Sequence, residues 1–145
     1  MNQPAEQTIG GAVIKPKILV VEDHILEQKL LMQLAHKCGF DVQVASSSEE
    51  AISALANGST FSLILMDWKL PGIDGLACTK HIRDLEKEKG FHTPVVAITG
   101  RALEGDRNKC LVAGMDDYMS KPFTMEEFKQ MLCRWVPESG KLRRH

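Results

Sequence analysis

Acidic and polar residues stand at the ends of several short apolar runs in this sequence. Glu22 and Asp23 follow the run KILVV, and Asp67 follows LILM. Thr99 closes the segment VVAIT, and Lys121 follows the segment YMS. A carboxylate can attack a phosphoryl group and form an aspartyl phosphate, while a hydroxyl and an ammonium bind the phosphoryl oxygens. These residue types together indicate phosphoryl-transfer chemistry.

The three carboxylates need a counterion if the fold brings them together. Ionised carboxylates a few ångströms apart repel by roughly 4 kcal/mol per pair at an effective dielectric constant of 20. Oxygen ligands in a pattern that lacks His and Cys favour Mg²⁺. His24 adjoins the acidic pair, but we interpret it as a helix-start residue. Each polar residue alone could also be a helix cap or solvated surface, so the interpretation depends on the combination.

Short apolar runs alternate with longer periodic segments from residue 16 to residue 136. The runs typical of strands are Lys17–Val21, Val42–Ala45, Leu63–Met66, Val95–Ile98 and Tyr118–Met119. Strands that are separated by helices form a parallel sheet, and such sheets bind ligands beyond the carboxyl ends of their strands. The five polar residues are therefore predicted to meet at one edge of the sheet.

The first helix is predicted over residues 25–38, ending before Gly39. Leu26, Leu30 and Leu34 recur at every fourth position, joined by Leu31, Ala35 and Cys38, so one apolar face is expected to pack on the sheet.

Two later helices begin with the spacing of a capping box. The pairs are Ser47 with Glu50 and Thr124 with Glu127, and Phe123 is placed to pack on Phe128 one turn into the last helix. Core packing is the predicted role of the last helix's apolar stripe, which comprises Met125, Phe128, Leu132 and Trp135.

The composition bounds the class of protein. A chain of 145 residues fits one domain, and 18 Lys and Arg against 19 Asp and Glu offer no electrostatic footprint for nucleic acid. Four cysteines without a CxxC pair suggest buried or half-buried packing residues in a reducing compartment. Because the sequence has neither a membrane-length apolar run nor a signal peptide, we expect a cytoplasmic location. We interpret residues 1–15 and 137–145 as tails or linkers.

Four ordered segments resemble the receiver domains of two-component response regulators over residues 16–136. The segments are KILVVEDH (17–24), FSLILMDWKLPGIDG (61–75), TPVVAIT (93–99) and AGMDDYMSKPF (113–123). The pair Glu22-Asp23 and the general style are most similar to receivers of hybrid sensor histidine kinases. The resemblance implies an α/β, flavodoxin-like (βα)₅ doubly wound parallel sheet with strand order 2-1-3-4-5.

The resemblance also implies roles for the individual site residues. Asp67 resembles the phosphoacceptor. Asp23 resembles a direct Mg²⁺ ligand, Glu22 one that acts through water, and Lys69 one that binds through its backbone carbonyl.

Three further residues match the positions that respond to phosphorylation in this family. Thr99 resembles the hydroxyl that follows the phosphoryl group, and Lys121 the ammonium that pairs with it. Tyr118 resembles the switch aromatic that turns inward when Thr99 moves. Trp68, beside the acceptor, is more bulky than usual and is predicted to be a packing residue.

A receiver domain of this kind takes its phosphoryl group from a phosphohistidine on a histidine kinase or a histidine phosphotransfer domain, and catalyses only its own phosphorylation and dephosphorylation. The partner is expected to dock near the first helix, and the output partner on the face of the fourth and fifth helices with Tyr118. One alternative is a receiver-like interaction domain that works without phosphorylation. Another is a phosphatase with an aspartate nucleophile, which needs a second Asp where this chain has Lys69.

Overall fold

The structure, a computed structural model, describes residues 7–9, 12–100 and 103–137. In the described residues from Lys17 to Trp135, five strands alternate with five helices. The strands are β1 (Lys17–Val21), β2 (Asp41–Ala45), β3 (Leu63–Asp67), β4 (Val95–Thr99) and β5 (Asp117–Ser120). The helices are α1 (Ile25–Lys37), α2 (Ser48–Ala56), α3 (Gly75–Lys89), α4 (Asp106–Ala113) and α5 (Met125–Trp135).

The five strands form one parallel sheet in the order β2-β1-β3-β4-β5. The predicted flavodoxin-like order 2-1-3-4-5 is confirmed. The direction of winding reverses between β1 and β3, which pair directly with each other. Ligands bind beyond the carboxyl ends of strands at such a reversal. The ends of β1 and β3 carry the predicted acidic residues, so the topology brings these residues to that point.

Two apolar cores lie on opposite faces of the sheet. Strands β1, β3 and β4 are buried nearly throughout, which explains why they are continuous apolar runs. Helices α2, α3 and α4 cover one face, whose core includes Leu19, Ile64, Ala51, Ile82 and Cys110. Helices α1 and α5 cover the other, whose core includes Ile18, Leu65, Ala35, Phe128 and Leu132. The predicted stripe of α5 is confirmed as core packing, since Met125 and Trp135 also pack against this second core.

The prediction for α1 was wrong for two leucines. Leu26 and Leu30 are 77% and 46% exposed, whereas Leu31 and Ala35 are buried against the sheet. The helix carries apolar residues on more than one face, so the sequence offers two stripes with helical spacing that could pack on the sheet. Leu31 and Ala35 are buried in the core and Leu34 packs partly buried beside them. Leu26 and Leu30 lie about 100° or more around the helix from Leu31 and so face away from the sheet.

One cysteine also departs from the sequence prediction. Cys38, Cys78 and Cys110 are buried, but Cys133 is exposed. It lies on α5 beside the buried Leu132, and successive helix positions point about 100° apart, so Cys133 faces away from the core.

The helix starts agree with the predicted caps, with one difference. At α5 the Glu127 N–H donates to the Thr124 hydroxyl at 3.0 Å and the Thr124 N–H to the Glu127 carboxylate at 2.8 Å, and the rings of Phe123 and Phe128 stack 5.8 Å apart. At α2 the Ser47 hydroxyl accepts from the Glu50 N–H, which is half of the predicted box.

The other half of the α2 box was predicted wrongly. The Glu50 carboxylate accepts from the backbone N–H of Ser46 at 2.8 Å, so it passes over Ser47 to bind the residue before it. The sequence SSS offers neighbouring N–H groups, and only the path of the loop decides which one the carboxylate reaches.

Outside the main sheet, Gln7–Ile9 and Ala12–Ile14 pair as two antiparallel strands, which the sequence analysis did not predict. They fall within the residues interpreted as an N-terminal tail, and most of the C-terminal tail lies outside the described residues. The domain limits at residues 16 and 136 stay predictions. Within the described part of the chain, no helix combines the length and apolar character needed to cross a bilayer.

Candidate phosphoryl and metal site

Three carboxylates converge at the carboxyl ends of β1 and β3. One oxygen from each of Glu22, Asp23 and Asp67 lies within 4.8 Å of the other two. An open cleft adjoins them. It is lined by Glu22, His24, Leu26, Glu27, Asp67, Lys69, Thr99, Gly100 and Lys121. The structure therefore brings all the predicted site residues except Tyr118 to one edge of the sheet.

Glu22 is the most buried of the three acids, with 1% of its surface exposed. Its Oε2 accepts a hydrogen bond of 3.1 Å from the His24 N–H, which turns the carboxylate back against the chain. Its Oε1 is buried and has no hydrogen-bond partner among the described residues. Burial is the main cause that raises the pKa of Glu22 to about 7, and the nearby Asp67 adds to the rise.

Asp67 is held at the last position of β3. Its Oδ1 accepts from the Lys69 N–H at 3.3 Å. Burial raises the pKa of the Asp67 carboxyl above its usual range, while the Lys69 N–H and the charge of Lys121 oppose that rise. The strand end thus presents a carboxylate whose negative charge is only partly compensated by the protein.

The donor set fits Mg²⁺. One buried oxygen of Glu22 lacks a hydrogen-bond partner among the described residues, and two further carboxylates lie beside it. A cation with its bound water would satisfy that oxygen and neutralise the carboxylates. All three donors are hard oxygens, which magnesium prefers. Asp23, which is exposed at the rim, and Asp67 would hold such an ion. The more buried Glu22 is suited to bind one of its waters.

Thr99 and Lys121 reach the cleft from the neighbouring strand ends. Thr99 ends β4, is 2% exposed and accepts a backbone hydrogen bond of 2.8 Å from the Lys121 N–H. The Lys121 ammonium lies 3.0 Å from a carboxylate oxygen of Glu27, on α1. Glu27 was not predicted from the sequence, because its spacing from Lys121 gives no local signal.

Tyr118 lies on β5 opposite Ala97 of β4. Its side chain is partly buried against the core beneath α2, α3 and α4. An inward rotation coupled to Thr99 stays a prediction. Trp68, the residue after Asp67, is 6% exposed and belongs to the same core as the one against which Tyr118 packs. This confirms the prediction that Trp68 is a packing residue.

Two buried or half-buried polar side chains support the site and were not assigned a role from sequence. Gln28 donates to the Glu22 carbonyl at 2.6 Å and to the Ser46 hydroxyl at 3.2 Å, so α1 holds the end of β1. Ser48, fully buried at the start of α2, donates to the Ile73 carbonyl at 2.6 Å and so holds the loop after Asp67. A serine after a helix cap gives no hint of such a long-range contact.

Gly75 is required by close packing against the acceptor strand. A Cβ atom at this position would lie 2.5 Å from the backbone carbonyl of Asp67 and 3.1 Å from Trp68 Cα. Because the obstacle is backbone, we expect Gly75→Ala to lower the free energy of unfolding by about 1–3 kcal/mol, measured by urea denaturation. Gly100→Ala is the control, since its Cβ would meet nothing within 4 Å. Equal losses in the two variants would contradict this assignment.

Mg²⁺ binding is expected to depend on pH through Glu22. Below its pKa of about 7 the carboxyl holds a proton that a cation must displace, so affinity rises with pH and levels off once Glu22 is ionised. We expect up to about a tenfold loss of apparent affinity per pH unit below that pKa, measured by magnesium titration of the intrinsic tryptophan fluorescence. Glu22→Gln, which cannot titrate, should show a markedly flatter profile. An unchanged profile in that variant would contradict the assignment to Glu22.

A doubly wound sheet with an acidic cluster at its winding reversal is typical of α/β domains that bind ligands beyond the carboxyl ends of their strands. The model of the response regulator receiver domain matches residues 18–133, and the chain belongs to that family. Hybrid signal transduction histidine kinase I of Dictyostelium discoideum is 35% identical over 138 residues, which are 90% of this chain and 8% of that protein. The chain thus spans a small part of this relative's length.

Two solved structures are similar in fold and sequence. One is the receiver domain of the sensor histidine kinase PA1611 from Pseudomonas aeruginosa PAO1, with magnesium coordinated in its active-site cleft. It has a TM-score of 0.75 and 36% identity, over 84% of this chain and 98% of that one. The other is the Ssk1 receiver domain of Saccharomyces cerevisiae, crystallised with the histidine phosphotransfer protein Ypd1. It has a TM-score of 0.75 and 29% identity, over 85% of this chain and 91% of that one.

Proposed function

We propose that this receiver domain accepts a phosphoryl group on Asp67 in a two-component phosphorelay. The observation that carries the proposal is the convergence of Glu22, Asp23 and Asp67 within 4.8 Å, with one buried Glu22 oxygen unpartnered. Three carboxylates at this distance repel one another and so lower the stability of the fold. Their placement is therefore better explained by binding of a cation beside a phosphoryl group than by a structural role. The family assignment supports the same chemistry.

Residues of this chain have separate roles in the phosphoryl transfer. A carboxylate oxygen of Asp67 attacks phosphorus, an O–P bond forms, and the P–N bond to the donor imidazole breaks. The Lys69 N–H holds Oδ1 and so orients the carboxylate. Lys121 and the Thr99 hydroxyl bind phosphoryl oxygens as charge develops there. When bound at Asp23 and Asp67, with the Lys69 carbonyl as a third ligand, Mg²⁺ supplies charge neutralisation of the phosphoryl oxygens.

The proposed output is a change in the surface formed by α4, β5 and α5. Contacts of Thr99 and Lys121 with the phosphoryl group exist only in the phosphorylated state, and each 1.4 kcal/mol of such differential interaction shifts a two-state equilibrium about tenfold. Tyr118 lies on β5, which pairs with the strand that Thr99 ends, and its inward rotation is the proposed link. An output partner would bind this face.

The proposed phosphodonor is a histidine on a kinase or on a phosphotransfer domain. Exposed apolar side chains of α1 lie beside the cleft, with Ile25 64%, Leu26 77% and Leu30 46% exposed, and Leu26 lines the cleft itself. A patch of this kind next to a reactive group suits a helical partner that presents its histidine to Asp67. The complex of the Ssk1 receiver with Ypd1 supports this type of partner. A cytoplasmic setting, where such partners and free thiols occur, is part of the proposal.

The test is phosphorylation by a small donor. The protein is incubated with acetyl phosphate and Mg²⁺, and its intact mass is measured with and without a chelator. We expect one phosphoryl adduct that forms only with Mg²⁺. No adduct under any of these conditions would favour the phosphorylation-independent interaction domain. Steady release of phosphate over many turnovers, with no adduct, would favour the aspartate-nucleophile phosphatase.

A further inference from the structure

Glu27 is placed to control the availability of Lys121. It lies in the first turn of α1, and its Oε1 is 3.0 Å from the Lys121 ammonium. The two side chains are 36% and 27% exposed, so the pair lies in the mouth of the cleft. Both residues line the same cleft as Asp67. An ion pair that joins α1 to the end of β5 thus crosses the entrance to the acceptor.

Lys121 has more than one carboxylate within electrostatic reach. Its charge lowers the pKa of both Glu22 and Asp67, although burial dominates and raises each. Its side-chain hydrogen bond, however, is made to Glu27. The flexible four-carbon stem of lysine allows the ammonium to exchange one carboxylate for another. The resting position of Lys121 is therefore set by competition among these acids.

We infer that Glu27 is a positioning residue that holds Lys121 at the mouth of the cleft and slows phosphorylation of Asp67. The inference rests on the proposed function of Lys121 in binding the phosphoryl group. The pair with Glu27 exists in the resting state and must be released for Lys121 to bind phosphoryl oxygens. An interaction that is made only in the ground state raises the barrier to reaction. A phosphoryl group carries more negative charge than one carboxylate, so it displaces Glu27 once it is attached.

The size of the effect is limited by solvent. Because about a third of each side chain is exposed, water and salt screen the pair, as in other partly exposed ion pairs. We expect Glu27→Gln to raise the rate of adduct formation about two- to fivefold at saturating Mg²⁺, which is the change that the interaction energy of a partly exposed ion pair predicts. Glu27→Asp retains the charge and should stay within about twofold of the wild-type rate.

A double-variant comparison separates the action through Lys121 from a direct action on the donor. Acetyl phosphate is itself an anion, so removal of any nearby negative charge could speed its reaction. If Glu27 acts through Lys121, Glu27→Gln should change the rate less than about twofold in a Lys121→Ala background, because the two variants are then not additive. An equal acceleration in both backgrounds, or a Glu27→Gln variant that reacts no faster than wild type, would overturn the inference.

Magnesium titration gives a readout that does not depend on phosphorylation. Once freed by Glu27→Gln, Lys121 can approach Asp67 and compete with the cation, so we expect about a threefold weaker Mg²⁺ affinity from tryptophan fluorescence. The weakening should largely vanish in the Lys121→Ala background. Equal weakening in both backgrounds would overturn the inference even where wild type forms no adduct. Absence of the wild-type adduct would by itself count only against the proposed function.

Discussion

Asp67→Asn is expected to abolish the phosphoryl adduct formed with acetyl phosphate and Mg²⁺. An amide is not a nucleophile toward phosphorus, and the variant also removes a ligand oxygen charge from the acidic cluster. The fold should persist, because the carboxyl's pKa is raised by burial, which shows that its charge is unfavourable in the folded protein. We expect the unfolding free energy at neutral pH to be equal to or higher than that of the wild type. Intact mass and urea denaturation measure the two effects.

Asp74→Asn is the matched control for this experiment. Asp74 lies in the same loop and caps α3 by accepting from the Ala77 N–H at 2.9 Å, a role that asparagine also fills. The control should form the adduct at the wild-type rate. An adduct that persists in Asp67→Asn, or that is lost in Asp74→Asn instead, would move the acceptor away from Asp67.

Arg83→Met is expected to cause the largest loss of stability, about 3–5 kcal/mol, because it leaves a buried carboxylate without its cation. The Arg83 guanidinium donates to the Gly114 carbonyl at 2.9 Å and to the Thr93 carbonyl at 2.8 Å. It also pairs with Glu86 at 2.6 Å and with Asp116 at 2.8 Å. One side chain thus ties α3 to the segments on either side of β4. The unfolding free energy from urea denaturation measures the loss.

Burial separates Arg83 from Arg107. The Arg83 side chain is 16% exposed and that of Glu86 only 5%, so solvent cannot replace the lost partner. Arg107→Met is the control, because Arg107 is 61% exposed and its contact with Asp117 is 3.4 Å long. Such a pair contributes about 0–1 kcal/mol. Similar losses in both variants would show that the Arg83 cluster is not the stabilising element proposed.

One buried aspartate joins helix α5 to strand β5. Asp117 accepts from the Trp135 indole at 2.8 Å and from Arg134 at 2.9 Å, both on α5. Burial by itself would raise the pKa of Asp117, but these bonds and that from the Tyr118 N–H together hold it below its usual range. This aspartate therefore fastens α5 to the strand that carries Tyr118. A rotation of the Tyr118 side chain would therefore occur next to Asp117, which the hydrogen bonds from α5 hold in place.

Local and periodic signals predicted much of this molecule correctly. Strands buried on both faces are continuous apolar runs, so β1, β3 and β4 were recognised from this signal. The capping box at Thr124 depends on neighbours only three residues apart. The positions of Asp67 and of the pair Glu22-Asp23 followed from the rule that strand ends carry the chemistry in a parallel sheet. The strand order required the family resemblance, because periodicity alone does not determine it.

The sequence by itself thus determined the element types, the strand ends and the kinds of side chain available for chemistry. Only the tertiary structure decided which leucine stripe of α1 faces the sheet, since both stripes have helical spacing and packing selects one. It also decided that Lys121 meets Glu27, 94 residues away, and that one oxygen of Glu22 is buried without a partner. Such contacts depend on how separate strand ends and helices are brought together in space, and no local pattern encodes that arrangement.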